Sequence, residues 1–202
     1  MKIAVDKNQL QKGSHAQSNA YNHRMMERMG HELIGVKMPY GDYAEYTESV
    51  HEVIERRGDK YTKMDLAPRV RIAIDRKNSI SEICGNVTSK SSEHGRFRDE
   101  CIRAQDNGCR FYVLIEDEKI KNLDDLEKWE NPRIKPYFWK KAKVDKGLLP
   151  KTSLKQKQPP ASGKKLAKAL RTMEEKYGVT FLFCKPKDAA ARIVEILKGG
   201  NE

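Results

Sequence analysis

The sequence predicts an α/β fold: a mixed central β-sheet flanked by helices. Three observations carry this reading. Late in the chain, short apolar runs alternate with segments of helical periodicity. In the middle, strand-like stretches follow one another with no clear helix between them, as a meander does. And "CRFYVLIED" (109–117) has a near-continuous apolar core, as a strand covered on both faces would. At 202 residues, 38% hydrophobic and 34% charged, the chain has the means for one core, expected as a single domain over 1–202.

The elements follow in order. "KIAV" (2–5) is a first strand ending at Asp6. A helix is expected from Ala16, with Tyr21, Met25 and Met29 at helical spacing and Gly30 as its stop. "HELIGVKM" (31–38) is a second strand. Pro39 and Gly41 then punctuate before "DYAEYTE", a polar and aromatic alternation that suits a third strand. Residues 49–68 are charged, contain Gly58 and Pro68, and read as an excursion between two hairpin strands. "RVRIAID" (69–75) alternates Val70, Ile72 and Ile74 with Arg69, Arg71 and Ala73, so one face is buried. A short helix is expected from Ser79 to Cys84. In 96–108 a longer one has Phe97, Cys101 and Ala104 on one face and Asn-Gly as its stop. Residues 131–163 contain five prolines among lysines and are expected to be mostly irregular. The chain closes with a helix bearing Leu166, Leu170, Met173 and Tyr177, the strand "VTFLFC" (179–184), and a helix opened by Pro186 with a stripe of Ala190, Ile193, Val194 and Leu197.

Charge is unevenly spread. The chain carries a net +11, but residues 1–130 hold 22 Lys and Arg against 23 Asp and Glu, and residues 131–202 hold 18 against 6. In 131–165 the only acid is Asp145. A basic Pro/Lys-rich insertion at 131–163 points to a polyanion, most often nucleic acid; a solubilising loop is the plainer alternative. The four cysteines have no CxxC spacing, which argues against a disulfide framework or a zinc knuckle and for reduced, buried thiols. No apolar run approaches membrane-spanning length, so no membrane partner is expected and the cytoplasm is the expected compartment.

The chemistry concentrates in "YGDYAEY" and "IDRK". Asp42 opens one strand and Asp75 closes the next. If the two pair as a hairpin, both carboxylates meet at one end of the sheet, where they repel unless a cation lies between them. A hard divalent ion with oxygen ligands suits that place, Mg²⁺ first. Lys77 lies two residues beyond Asp75 and so on the same face of an extended chain. There an ammonium can orient an attacking water or offset charge on a pentavalent phosphorus. Arg76 has the planar fork to grip a phosphate oxygen. D-x-K alone is a weak signal; a solvated strand end carries the same letters.

Together, "GDY", "IDRKNSISEI", "GRFRDECIRA" and "RFYVLIED" resemble the nuclease domain of the XPF family (excision-repair cross-complementation group 4 type), within the PD-(D/E)XK nuclease superfamily. The closing α-β-α unit, "GKKLAKALRTMEEKYGVTFLFCKPKDAAARIVEILKG", is similar to that family's too. The resemblance covers most of residues 1–130 and 163–199. It implies a restriction-endonuclease-like core and a Mg²⁺-dependent DNA endonuclease, with Mn²⁺ able to substitute. The small, stand-alone format fits a bacterial or phage protein working in the cytoplasm, at the nucleoid or in a host cell. Flap, branched or junction DNA would be the substrate, in repair, recombination or replication.

Residue by residue, the resemblance makes Asp42 and Asp75 metal ligands, with the Arg76 carbonyl completing the shell. Lys77 would assist the water, and Arg76 would hold phosphate or brace the site. Glu82 would bind metal through water or orient Lys77. Asp6, Arg96 and Glu100 are support candidates, the last two equally readable as a surface i,i+4 pair. Asp75 stands where the family usually has Glu, Ser81 where an acid is expected, and "DKNQ" where Asp-x-Arg-Glu is usual. No tandem helix-hairpin-helix domain is expected, and a homodimer is left open. Lys140, Lys141, Lys143, Lys146, Lys151, Lys155 and Lys157 would supply phosphate contacts. Tyr137, Phe138 and Trp139 would either stack on an unpaired base or pin the basic segment to the core. The alternative to an enzyme is a non-catalytic basic DNA-binding module on a nuclease-like fold.

Overall fold

The computed structural model describes residues 1–10, 16–88, 92–154 and 158–199, without the side chains of 16–18 and 92–94. β1 (Lys2–Asp6) leads through a single turn, α1 (Lys7–Leu10), to α2 (Ala16–Arg28) and β2 (Glu32–Val36). β3 (Tyr43–Glu45), α3 (Glu48–Arg57), α4 (Lys63–Leu66) and β4 (Ile72–Lys77) follow, then α5 (Ile80–Thr88), α6 (Ser92–Asp106) and β5 (Arg110–Glu116). α7 (Leu123–Leu126), α8 (Ile134–Asp145), α9 (Gly163–Tyr177), β6 (Thr180–Cys184) and α10 (Ala189–Leu197) complete the chain.

One six-stranded sheet forms, in the order β2-β1-β3-β4-β5-β6. β1 pairs antiparallel with β3, and β3 with β4; the other neighbours are parallel. The sheet is therefore mixed, as expected, with its antiparallel turn-back in the middle. Alternation of side chains divides the core in two. Ala4, Ala44, Ala73, Phe111, Val113 and Ile115 face one layer, with Val50 of α3, Ile83 of α5, Phe97 and Cys101 of α6 and Leu166 and Leu170 of α9. Ile3, Val5, Tyr43, Ile74, Tyr112 and Leu114 face the other, with Met26 of α2 and Ile193 and Leu197 of α10. β5 is buried from Phe111 to Glu116, so its apolar run is covered on both sides. All four cysteines are free, three of them buried.

The excursion at 49–68 lies between the antiparallel pair β3 and β4, as expected, and is largely helical. Thr47 caps α3 by accepting the Val50 N–H, Glu48 sits in the first turn and Arg56 and Arg57 in the last, which complements the helix dipole. Val50 and Val53, one turn apart, dock it on the sheet. Within the basic stretch, expected to be mostly irregular, α8 occupies 134–145. Pro136 falls in its first turn, where a missing N–H costs nothing. Finally, α2 does not bury Tyr21, Met25 and Met29. Tyr21 and Met29 are exposed, while Asn19, Asn22 and Met26 are buried. That polar choice is explained by what the helix packs against.

Candidate active site

The site forms where β3 and β4 come together. Gly41 takes a positive φ of 67°, and a Cβ there would lie 2.8 Å from the Ile74 carbonyl oxygen. Only glycine allows the chain to pass so close, and the next residue's N–H then donates to that same oxygen at 2.7 Å. This closure aims the Asp42 carboxylate at β4. Asp42 Oδ2 accepts the Arg76 backbone N–H at 2.9 Å, and Oδ1 accepts from Gln9 Nε2 at 2.6 Å.

β4 extends through Lys77, so Asp75, Arg76 and Lys77 lie within the strand and not just beyond it. Asp75 and Lys77 share the face toward α5 and α6. Lys77 Nζ lies 3.0 Å from Asp75 Oδ1 and 2.8 Å from Oδ2. Asp75 is buried, and although the ammonium is close, no hydrogen bond is directed at Oδ2 among the described residues. The Phe97 ring closes over Lys77, 5.6 Å from Nζ. Glu82, in the first turn of α5, accepts the Asn78 N–H through Oε2 at 3.0 Å and holds Oε1 4.0 Å from Lys77 Nζ. It thus fixes the turn after the strand and faces the ammonium.

Glu100, from α6, joins this group by accepting the Gly41 N–H at 2.7 Å. Arg96, on the same helix, is exposed, and no hydrogen bond or ion pair links it to the cluster among the described residues. The i,i+4 pair is therefore split, with one member in the cluster and the other in solvent. Asp6 contributes through its backbone, donating its N–H to the Asp42 carbonyl at 2.9 Å, while its carboxylate caps Asn8.

Arg76 points to the opposite face. It is buried, with Nε 2.5 Å from Glu116 Oε1 and Nη1 donating to Asn19 Oδ1 at 2.8 Å. The Asn22 amide oxygen, turned inward, accepts from Nη2 at 3.2 Å. Of the two expected roles, these contacts are those of a bracing group: the guanidinium ties β4 to Glu116 of β5 and Asn19 of α2. Asn19 Nδ2 in turn donates to Gln9 Oε1, whose amide holds Asp42. Gln9, Asn19, Asn22 and Glu116 were not anticipated from the sequence. The one available signal was a carboxylate, Glu116, ending an otherwise apolar, doubly covered strand.

The electrostatics suit a cation. Burial, then repulsion from Asp75, pushes the Asp42 carboxyl well above its usual range, against the pull of Lys77 and the Arg76 N–H. Glu100 is pushed up to about 7 by burial and by Asp75. Burial draws the Lys77 ammonium down, but Asp75 and Asp42 outweigh it and hold it above its ordinary value. Among the described residues, no three His, Cys, Asp or Glu side chains form a ready-made metal cage. That still fits Mg²⁺, which takes one or two carboxylates and keeps several waters. Asp42 and Asp75 are two carboxylates of that kind, held close enough to repel each other. When bound, such an ion would polarise a phosphoryl oxygen and lower the pKa of a water.

Away from this cluster, Lys140, Lys141 and Lys143 lie on α8, Lys146 caps its end and Lys151 stands in the next turn. Lys141 is tied to Asp145 at 2.6 Å. Lys155 and Lys157 lie outside the described residues. Among the described residues, no helix is long and apolar enough to cross a membrane.

The comparisons with known proteins bear on family and fold. The family model for the ERCC4 domain matches residues 5–197. Among solved structures, XPF from Aeropyrum pernix superposes with a TM-score of 0.51 at 13% sequence identity, covering 100% of this chain and 62% of that one. At that identity the likeness speaks for the fold. No curated protein matches the chain significantly. With the domain match running from the first strand to the last helix, over the Gly-Asp pair and the Asp-Arg-Lys strand alike, the chain belongs to the ERCC4 domain family.

Proposed function

We propose that this protein is a Mg²⁺-dependent endonuclease that hydrolyses phosphodiester bonds in branched, flap or junction DNA, with Mn²⁺ able to replace Mg²⁺. The observation that carries the reading is the cluster of Asp42, the buried Asp75 and Lys77 where β3 and β4 meet, within an ERCC4 fold. Asp42 and Asp75 would hold the ion, together with the Arg76 carbonyl. Lys77, fixed by Asp75 and faced by Glu82, orients the attacking water and offsets charge as it builds on phosphorus. Glu100 holds the Gly41 turn and so sets the position of Asp42. Arg76 and Asp6 act through position alone.

The near-neutral part of the chain is a poor holder of DNA, and the lysines of α8 and its flanks make up for this. In this reading residues 1–202 work as one nuclease domain, in the cytoplasm or at the nucleoid, in repair or recombination. A homodimer would match the habit of the family.

The test incubates the protein with labelled flap, junction, single-stranded and duplex DNA, in Mg²⁺ or in EDTA, beside Asp75→Ala and Lys77→Ala. Cutting should require the ion. Lys77→Ala should lose roughly 10²–10³-fold in rate, as for removal of one preorganised charge at a transition state. Binding of every substrate with cutting of none would replace the enzyme by a DNA-binding module, and cutting by Asp75→Ala would remove the site.

A further inference from the structure

The two roles open to the aromatic triplet of α8 divide between its residues. Tyr137 is buried and fixes the helix. Phe138 and Trp139 point outward, 52% and 59% exposed. Large rings are seldom left in water side by side at the centre of a lysine-rich helix without something to cover them. The helix they stand on is not loose. Asn131, just before it, is buried, donates to the Ala161 carbonyl at 2.8 Å and lies 3.8 Å from Cys84 Sγ. Cys84 belongs to α5, two residues beyond Glu82, so the base of α8 is fastened to the element that follows the Asp75 strand.

Charge decides what covers the rings. At 100° per residue, Lys135, Trp139, Ala142 and Lys146 line one stripe of the helix, with Phe138 and Lys143 on its two flanks. Lys143 Nζ lies 3.8 Å from the Trp139 ring centre. An apolar protein groove would have to strip water from these ammonium groups. A lipid surface would take up the lysines, but two rings on a short helix offer little apolar depth. An unpaired stretch of DNA meets both demands, since phosphates take the lysines and base faces take the rings.

We infer that Phe138 and Trp139 form a stacking platform for the unpaired bases of a DNA junction or flap, with Lys143 and Lys146 gripping the adjoining phosphates. This rests on the endonuclease reading and sharpens it, because it places recognition of unpaired bases in α8. Blunt duplex hides its base faces, and so gains only the phosphate contacts.

The experiment measures binding in EDTA, where no cutting occurs, using the full chain. Oligo-dT, a forked duplex and a blunt duplex are titrated against the parent, Phe138→Ala/Trp139→Ala and Trp139→Phe. Indole emission is followed beside anisotropy of the labelled DNA; Trp129 is the only other tryptophan and is retained throughout. Quenching on oligo-dT and fork should vanish with Trp139. The double alanine variant should lose roughly ten-fold or more in affinity per ring for fork and oligo-dT, the measure of one base–aromatic stack. Blunt duplex affinity should stay within about two-fold, and Trp139→Phe should keep most fork affinity. Equal losses on fork and blunt duplex, or no loss on fork, would overturn the platform. Cutting in Mg²⁺ is scored separately, so failure of the platform is distinct from failure of the nuclease reading.

Discussion

Removing Glu116 tests the bracing of the site directly. The Arg76 and Glu116 side chains are 3% and 4% exposed, and their Nε and Oε1 atoms are 2.5 Å apart. Glu116→Ala leaves a guanidinium that cannot shed its proton in a nearly dry layer. Loss of one partner from a buried pair costs about 3–5 kcal/mol. Asn19 and Asn22 remain against Arg76, so the lower end applies, about 3 kcal/mol. For a chain of this length each kcal/mol moves the midpoint by about 2–4 °C, which gives a fall in Tm of roughly 6–12 °C. Urea titration and a thermal scan by circular dichroism measure both numbers. The double variant Arg76→Met/Glu116→Leu should recover most of the loss, since it removes both charges and keeps the volume. A loss below about 1 kcal/mol in Glu116→Ala would refute the claim that this pair is sealed from water. Failure of the double variant to recover would show that the two Asn contacts, and not the ion pair, hold α2 in place.

Three further outcomes follow from the site. Glu100 is raised from 4.5 to about 7, so between those values the folded protein binds more protons than the unfolded one, and metal-free stability falls as pH rises through that window, by up to about 3 kcal/mol. Asp42 adds to the same trend; Tm in EDTA at pH 5 and pH 8 should show it, Glu100→Gln should flatten it, and Mg²⁺ should raise Tm more at pH 8. Gly41→Ala forces a side chain into a positive φ against the Ile74 carbonyl, and should cost about 1–3 kcal/mol by urea titration while displacing Asp42 enough to depress cutting. Lys140→Ala and Lys146→Ala should each lower the slope of log binding constant against log salt by about 1, without changing preference between DNA sequences.

The legible parts of the sequence were those where one rule acted alone. β5 was plain because burial on both faces leaves no polar position, and the closing α9-β6-α10 unit because its helices bury simple apolar stripes. The pairing of β3 with β4, which brings Asp42 beside Asp75, followed from chain order and alternation. α8 was hidden because prolines count against a helix unless one falls in its first turn, and α3 because two valines among charged residues make a faint stripe. α2 misled in a more instructive way. Its buried face is polar because it serves a guanidinium, and no local pattern could reveal a charge arriving from a strand some fifty residues later. Gln9, Asn19 and Asn22 were invisible for the same reason: an amide in a helix has no meaning until its partner is known.

The hydrogen bonds that run from Arg76 through Asn19 and Gln9 to Asp42 have a sense of direction. A guanidinium can only donate, so Asn19 must present its oxygen to Arg76 and its NH₂ to Gln9. Gln9 must then accept with its oxygen and offer its own NH₂ to Asp42. Neither amide is free to turn over, and a fixed positive charge on one side of the sheet reaches the other as a donor aimed at a carboxylate. Asp42 is thus met by a partner that favours its ionised form, before any cation arrives. Exchange of either amide for an acid, Asn19→Asp or Gln9→Glu, keeps the shape and removes that donor, so the sheet would still fold, around an Asp42 carboxyl that burial and Asp75 already raise and that would then be harder still to ionise.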